Sequence, residues 1–189
     1  MPHALPTTLI VKTSDSHIGL WKPLAAWPIE SRPQALWPWL SHAGSFTQKL
    51  RAAAGDAFHV EVLREGVTQL NVDDAVLLHT LPGTAARLRE VHLCWNKPWV
   101  YARTLSVAES GHWLDGLGTQ PLGDRVFAES DTQRSPIEAA QLNAAQPLYG
   151  VALKGVLHNP ACLWARRSVL TVHGSRLLIY EVFLDEMEG

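Results

Sequence analysis

Alternation of apolar and polar positions marks three strand-like runs, and each carries one charge where the pattern calls for an apolar side chain. Side chains alternate between the faces of a strand. In the run Leu177-Leu178-Ile179-Tyr180-Glu181-Val182-Phe183-Leu184, Glu181 shares a face with Leu177, Ile179 and Phe183. The other face holds Leu178, Tyr180, Val182 and Leu184, so both faces are dry and Glu181 points inward. Acids are rarely buried unless paired or hydrogen-bonded, and a structural ion pair would explain one such residue. The pattern recurs with opposite charge. Arg89 shares a face with Val91, Leu93 and Trp95, and Arg64 shares one with Phe58, Val60 and Val62. Two cations and one anion aimed inward point to a pocket for a small anionic molecule. A solvated strand face at a sheet edge is the alternative, and it suits Arg64 best.

The remaining periodicity predicts a helix over 45–54, with Ser45 and Gln48 as a capping box and Gly55 as its stop. Three or four strands are expected between Phe58 and Val107, closing with a hairpin over 93–104 whose turn is Asn96-Lys97-Pro98. Residues 106–117 hold a helical piece. Thr119 as cap and Pro121 in the first turn predict a helix running through Arg125-Val126-Phe127. Ser135-Pro136-Ile137-Glu138 opens a further helix to about Ala145, followed by loop to Pro160. Strands at 167–173 and 176–184 form a hairpin across Gly174-Ser175. Strands and helices do not alternate regularly. The expected class is therefore α+β, a single antiparallel sheet with helices on one side. Residues 1–44 read as an arm wrapped on the core, because Trp21, Trp27, Trp37 and Trp39 lie among Pro23, Pro28, Pro33 and Pro38. A short helix is expected there at 34–42. Residues 45–189 form the main unit of one globular whole.

Composition narrows the function. The net charge of −2 and pI of about 6.5 argue against a nucleic-acid binder, which is normally basic. Two cysteines form no disulfide framework, and Cys94 sits in an apolar strand, so a reducing, cytoplasmic setting is expected. Residues 1–20 lack the pattern of a signal peptide. No run approaches the ~20 apolar residues of a membrane span. The chain carries no Gly-x-Ser-x-Gly elbow, no His-Glu-x-x-His and no zinc-spaced cysteine pair. Asp115-Gly116-Leu117-Gly118 lacks the spacing of a phosphate loop. His92 reads as a half-buried strand residue and Asp73-Asp74 as a solvated turn or cap. One of Arg166 and Arg167 is expected to turn inward. What is left is charge in a dry interior, which suits chemistry that needs only positioning and electrostatics.

Six stretches, in order, resemble the chorismate–pyruvate lyase family. They are Leu63-Arg64-Glu65-Gly66, Leu88-Arg89-Glu90-Val91-His92-Leu93-Cys94, Pro98-Trp99-Val100-Tyr101-Ala102-Arg103-Thr104, Pro121-Leu122-Gly123, Leu163-Trp164-Ala165-Arg166-Arg167-Ser168 and Tyr180-Glu181-Val182-Phe183-Leu184. The resemblance implies a monomeric α+β fold whose helical flaps close over a buried site. It implies a cofactor-free, metal-free reaction that converts chorismate to pyruvate and 4-hydroxybenzoate for ubiquinone synthesis. By position, Arg89 would bind the ring carboxylate and Glu181 would accept a hydrogen bond from the ring 4-hydroxyl. Backbone N–H groups of Phe46 and Leu122 would complete the carboxylate site. Both also fall in the first turn of a helix predicted above, where N–H groups are free and suit an anion. Chorismate is a dianion, and Arg64, Arg103 and Arg167 are the candidates for its enolpyruvyl carboxylate, Arg64 first because of its apolar face. Two departures stand out. Residues 141–161 form a longer connection than is usual, and Phe46 replaces a frequent Met. The ring C4 hydrogen leaves either to a base or, in a cyclic step, to the enolpyruvyl group.

Three other readings compete. Effector domains of some bacterial transcription regulators share the fold, but they normally follow a DNA-binding domain, and the Pro-rich arm before Ser45 is too short for one. An inactive paralogue would not need both Arg89 and Glu181. An interaction module built on the tryptophan arm explains none of the inward charges.

Overall fold

A computed structural model describes residues 20–107 and 112–184. Residues 1–19, read above as lacking a signal-peptide pattern and as the first part of the arm, lie outside them, as does part of the expected helical piece at 106–117. In chain order the strands are β1 (Lys22–Pro23), β2 (Phe58–Gln69), β3 (Ala85–Trp95), β4 (Lys97–Val107), β5 (Gln133–Arg134), β6 (Glu138–Leu142), β7 (Leu163–Val172) and β8 (Ser175–Phe183). The helices are α1 (Trp37–Leu40), α2 (Phe46–Ala54), α3 (Val72–Leu77), α4 (Leu122–Val126) and α5 (Pro147–Ala152).

All strands join one antiparallel sheet in the order β1-β6-β7-β8-β4-β3-β2, with β5 also paired to β7. The class is the α+β architecture expected, but helices pack on both faces of the sheet rather than on one side. The long β3–β4 and β7–β8 hairpins turn where the chain can take positive φ, at Asn96 (60°) and at His173-Gly174 (46° and 76°). A two-residue hairpin loop needs such angles to match the twist of its strands.

Local signals set the helices near the site. Ser45 Oγ accepts from Gln48 N at 3.3 Å to open α2, and Gly55 at φ 55° ends it. Helix α4 begins two residues later than expected, with Pro121 rather than Thr119 at its cap. The α2–α4 pair lies over one face of the sheet. On the other face, α3 packs through Ala75 against Leu88, Leu105 and Leu178, and α5 packs through Tyr149 and Ala152 against Tyr101 and Val182.

The helix expected over 135–145 is instead strand. Residues 138–142 pair with β7, Ala139 opposite Arg166 and Ala140 opposite Ala165, and both alanines are fully buried. Alanine favours helix when nothing else decides, but here the free edge of β7 supplies the partner. The region read as loop contains α5. Within the arm, Leu36 and Leu40 are buried in the same core cluster as Phe46, Val91 and Phe183. Trp27 packs edge-on against Trp164, and Trp39 against both Phe46 and Trp99.

Candidate active site

Between the sheet and the α2–α4 pair lies a cavity of about 550 Å³, part of it open to solvent. Its floor comes from Val60, Arg89, Val91, Leu93, Ala102, Thr104, Ile179 and Glu181, and its roof includes Phe46, Thr47, Leu122, Gly123 and Phe127. The alternation that singled out Arg89 and Glu181 therefore brings both to one cavity. Arg89, on β3, is 3% exposed. Its Nη1 donates to the Glu65 carboxylate and its Nη2 to the carbonyls of Gly118 (2.8 Å) and Gln120 (3.2 Å). Those carbonyls belong to the loop entering α4, so Arg89 ties that flap to the sheet.

Glu181, on β8, is 6% exposed, and its Oε2 accepts from Arg166 Nε at 2.5 Å. Arg166, opposite Glu181 on β7, is 1% exposed. Its Nη1 donates to the carbonyls of Trp39 (2.9 Å), Leu40 (3.2 Å) and His42 (2.8 Å), and its guanidinium lies 4.6 Å from the centre of the Phe46 ring. Arg166 thus orients one Glu181 oxygen while pinning the chain that leads into α2. The ion pair and the ligand site suggested for Glu181 coexist here. Buried charges tolerate this only when paired and hydrogen-bonded.

Phe46 and Leu122 are the first residues of α2 and α4, and both line the cavity. First-turn N–H groups have no intrahelical acceptor. The two flaps touch closely at Gly123, where a Cβ would fall 2.8 Å from Thr47 Oγ1 and 3.1 Å from Ser45 Oγ.

The three other arginines lie elsewhere. A bulge at Leu63 shifts the register, so Arg64 pairs with Glu90 and Glu65 takes the position opposite Arg89. One extra residue flips every later side chain, and Arg64 is exposed on the reverse face. Arg103 and Arg167 both align with Tyr180, also on the reverse face. Arg103 lines a separate cleft there with Asp73, Asp74 and Tyr180. Arg167 bridges Asp73 and Glu138, the latter at 2.7 Å, and lies over the Trp21 ring. Asp74 is not solvated as expected. It is 4% exposed, accepts from Tyr180 Oη at 2.5 Å, and burial raises its pKa. His92 is buried on the same face, and desolvation lowers its pKa. Burial pushes the Cys94 thiol up to about 12, so it is inert as a nucleophile.

Two cavity features escaped the sequence reading. Arg134, on β5, lines the cavity from a segment whose strand character depends wholly on β7. Thr47 and Thr104 add hydroxyls, but an isolated threonine carries no sequence signal. Arg166 was half visible, as one of a pair expected to split between faces. At the surface, Glu129, Asp131 and His173 bring ligand-type atoms within 4.8 Å of one another. Both ring nitrogens of His173 already face carboxylates, Nε2 that of Glu129 at 2.9 Å and Nδ1 that of Asp131 at 3.0 Å. This suits an ion-pair clamp better than a single metal ion, which one imidazole meets through one nitrogen.

A family model described as chorismate lyase matches residues 19–187. A protein of Azoarcus sp. (strain BH72) named probable chorismate pyruvate-lyase is 37% identical over 171 residues, 86% of this chain and 90% of that one. A protein of the same name from Halorhodospira halophila is 38% identical over 181 residues, covering 89% and 96%. Among solved structures, PhnF from Mycobacterium smegmatis superposes with a TM-score of 0.56 at 14% identity, over 78% of this chain and 67% of that one. The separate structure of the PhnF C-terminal domain gives 0.56 at 13%, over 69% and 86%. At such identities the likeness shows the fold alone. Among the described residues no helix is long and apolar enough to cross a membrane. Family model and relatives agree over most of the length, and on that ground the chain belongs to the chorismate lyase family.

Proposed function

We propose that this protein converts chorismate to 4-hydroxybenzoate and pyruvate, binding the ring carboxylate at Arg89 and the ring 4-hydroxyl at Glu181. The observation that carries the reading is the placement of these two groups in one cavity. Arg89 aligns with Thr104 on β4 and, through it, with Ile179 on β8, two residues from Glu181. Two strand spacings sideways and two residues along separate their Cα atoms by about 12 Å. That distance suits a para-substituted ring held at both ends by inward-reaching side chains. Backbone N–H groups of Phe46 and Leu122 face the carboxylate in this reading, with the flap ends adding partial positive charge. Arg166 holds Glu181 Oε2, which leaves Oε1 to accept from the hydroxyl.

Glu181 is the sole carboxylate among the described residues lining the cavity. Engaged by Arg166 and by the hydroxyl, it is poorly placed to act as a base on the C4 hydrogen. The reading therefore takes the cyclic path. The C4 hydrogen passes to the enolpyruvyl methylene carbon, its electron pair forms the C3–C4 double bond, and the C3–O bond breaks to give the ketone of pyruvate. Atoms balance with no added reactant, and the ring becomes aromatic. The protein contributes a folded, oriented substrate and fixed charges. Following the family resemblance, we place the enzyme as a cytoplasmic monomer that supplies the ring of ubiquinone.

The test is direct. Purified protein with chorismate and EDTA is expected to release equimolar 4-hydroxybenzoate and pyruvate. Tight 4-hydroxybenzoate binding without turnover would instead move the protein to the sensor class.

A further inference from the structure

Arg89 and Arg134 are the two cations among the described residues lining the cavity. Across the sheet the order is β3, β4, β8, β7, with β5 beside β7. In strand order Glu181 on β8 therefore lies between Arg89 on β3 and Arg134 on β5, with the Arg134 backbone level with Leu177 and its side chain reaching Ser168, which is level with Ile179. Chorismate has the same linear order if the ring carboxylate sits at Arg89 and the 4-hydroxyl at Glu181. Its enolpyruvyl ether leaves the carbon beside the hydroxyl, so its second carboxylate extends to one side of Glu181, in the half of the cavity away from Arg89.

We propose that Arg134 binds the enolpyruvyl carboxylate of the substrate, an assignment that rests on the reaction proposed above. Arg134 is braced for this work. Its Nε donates to Ala43 O at 3.0 Å, its Nη1 to Ser168 Oγ at 2.5 Å and its Nη2 to Gly44 O at 3.3 Å. The guanidinium stacks 5.5 Å from the Phe127 ring centre, on the α4 flap. A guanidinium has five N–H donors, and these three bonds leave one on each terminal nitrogen. Two such donors match a carboxylate. Partial burial strengthens the pairing, since charges interact more strongly away from water. Desolvation also lowers the Arg134 pKa, with Glu181 opposing that shift. Ala43 and Gly44 precede the α2 cap, so a carboxylate on Arg134 would touch a group that holds one flap and stacks on the other.

The product lacks the second carboxylate, and this separates Arg134 from Arg89 by experiment. Three probes are used with wild type, Arg134→Met and Arg134→Lys. They are 4-hydroxybenzoate, the stable dianion 3-(1-carboxyvinyloxy)-4-hydroxybenzoate, and its 3-vinyloxy counterpart lacking that carboxylate. Wild type is expected to prefer the dianion to the vinyloxy compound by at least ~10-fold. Arg134→Met is expected to abolish that preference, weaken the dianion and raise the KM for chorismate ~30-fold or more, as loss of a buried charge partner does. Its affinity for 4-hydroxybenzoate should stay within about threefold, which also certifies that the site is folded. Arg134→Lys should recover part of the loss. Equal weakening of all three probes in both variants, or an unchanged preference in Arg134→Met, overturns the assignment. If wild type prefers the vinyloxy compound, the assignment also falls, without need of any variant. Failure of wild type to turn chorismate over would remove the underlying reaction, whereas normal turnover with an indifferent Arg134 removes this inference alone.

Discussion

The two faces of the sheet are built from the same strands, and both bury charge. On the reverse face the charges largely close on each other. Arg167 is held by Asp73 and Glu138, Asp74 by Tyr180, and Glu90 by Tyr101 at 2.7 Å. Helices α3 and α5 pack there against side chains. On the cavity face, Arg89 is paired with Glu65, Glu181 with Arg166, and Arg134 is braced by backbone carbonyls, yet all three also border empty space. The difference teaches that buried charge alone does not mark a site. A site needs charge whose orientation is fixed while part of its hydrogen-bonding capacity is left for a ligand.

The largest effect should come from exchanging losses between faces. Arg89→Ala is expected to weaken chorismate and 4-hydroxybenzoate by about 2–5 kcal/mol, roughly 30- to several-thousand-fold. Isothermal titration of the product measures it, and wild-type affinity would refute the assignment. Arg167→Met, on the reverse face, is expected to cost about 1–2 kcal/mol of unfolding free energy by removing its bonds to the partly exposed Asp73 and Glu138. Urea denaturation reads that loss, and KM should not move with it. If KM for chorismate rises as far as in Arg89→Ala, the contrast between faces is wrong.

Next in size is Glu181→Ala. A hydrogen bond to a charged group contributes about 1.5–3 kcal/mol, so 4-hydroxybenzoate should weaken by ~10-fold or more while benzoate changes far less. Equal losses would count against the hydroxyl contact. Gly123→Ala probes the roof. Its Cβ would press on Thr47 Oγ1 and Ser45 Oγ, and overpacking typically costs about 1–3 kcal/mol. Faster 4-hydroxybenzoate release in stopped flow is expected, with Tm lowered modestly; unaltered release would show that the flaps tolerate spreading.

The smallest effect concerns the clamp at His173. Its pKa is raised, first by its bond to Glu129. The native state therefore binds this proton more tightly than the unfolded chain does. The resulting stability is fully present below the unfolded value of about 6.5 and is lost as pH rises through the raised native value. His173→Asn should flatten that part of the Tm-against-pH curve without changing turnover. An unchanged curve would discount the clamp.

Much of the cavity face was legible from alternation, because β3 and β8 are long, regular and buried, and period two then assigns each side chain a face. Arg89 and Glu181 follow directly. The same rule misplaced Arg64, since a bulge at Leu63 leaves no mark on the hydrophobic pattern. Residues 138–142 read as helix for a related reason. Short alanine-containing segments have weak preferences, and pairing with β7 decides them. Arg134 was invisible because its two-residue strand has no periodicity at all.

By itself the sequence determined the antiparallel α+β class, the long hairpins, the capped α2 and the two inward charges, since local periodicity and capping chemistry act over a few residues. Tertiary structure alone decided which arginine meets which carboxylate. That choice depends on register, on one bulge and on the crossing of β5 to β7, contacts between residues far apart in the chain. Arg166 reaching Trp39 and Arg134 reaching Ala43 are such contacts. They place the cations around Glu181 because only the packed sheet brings a strand edge, a flap and an arm to one point.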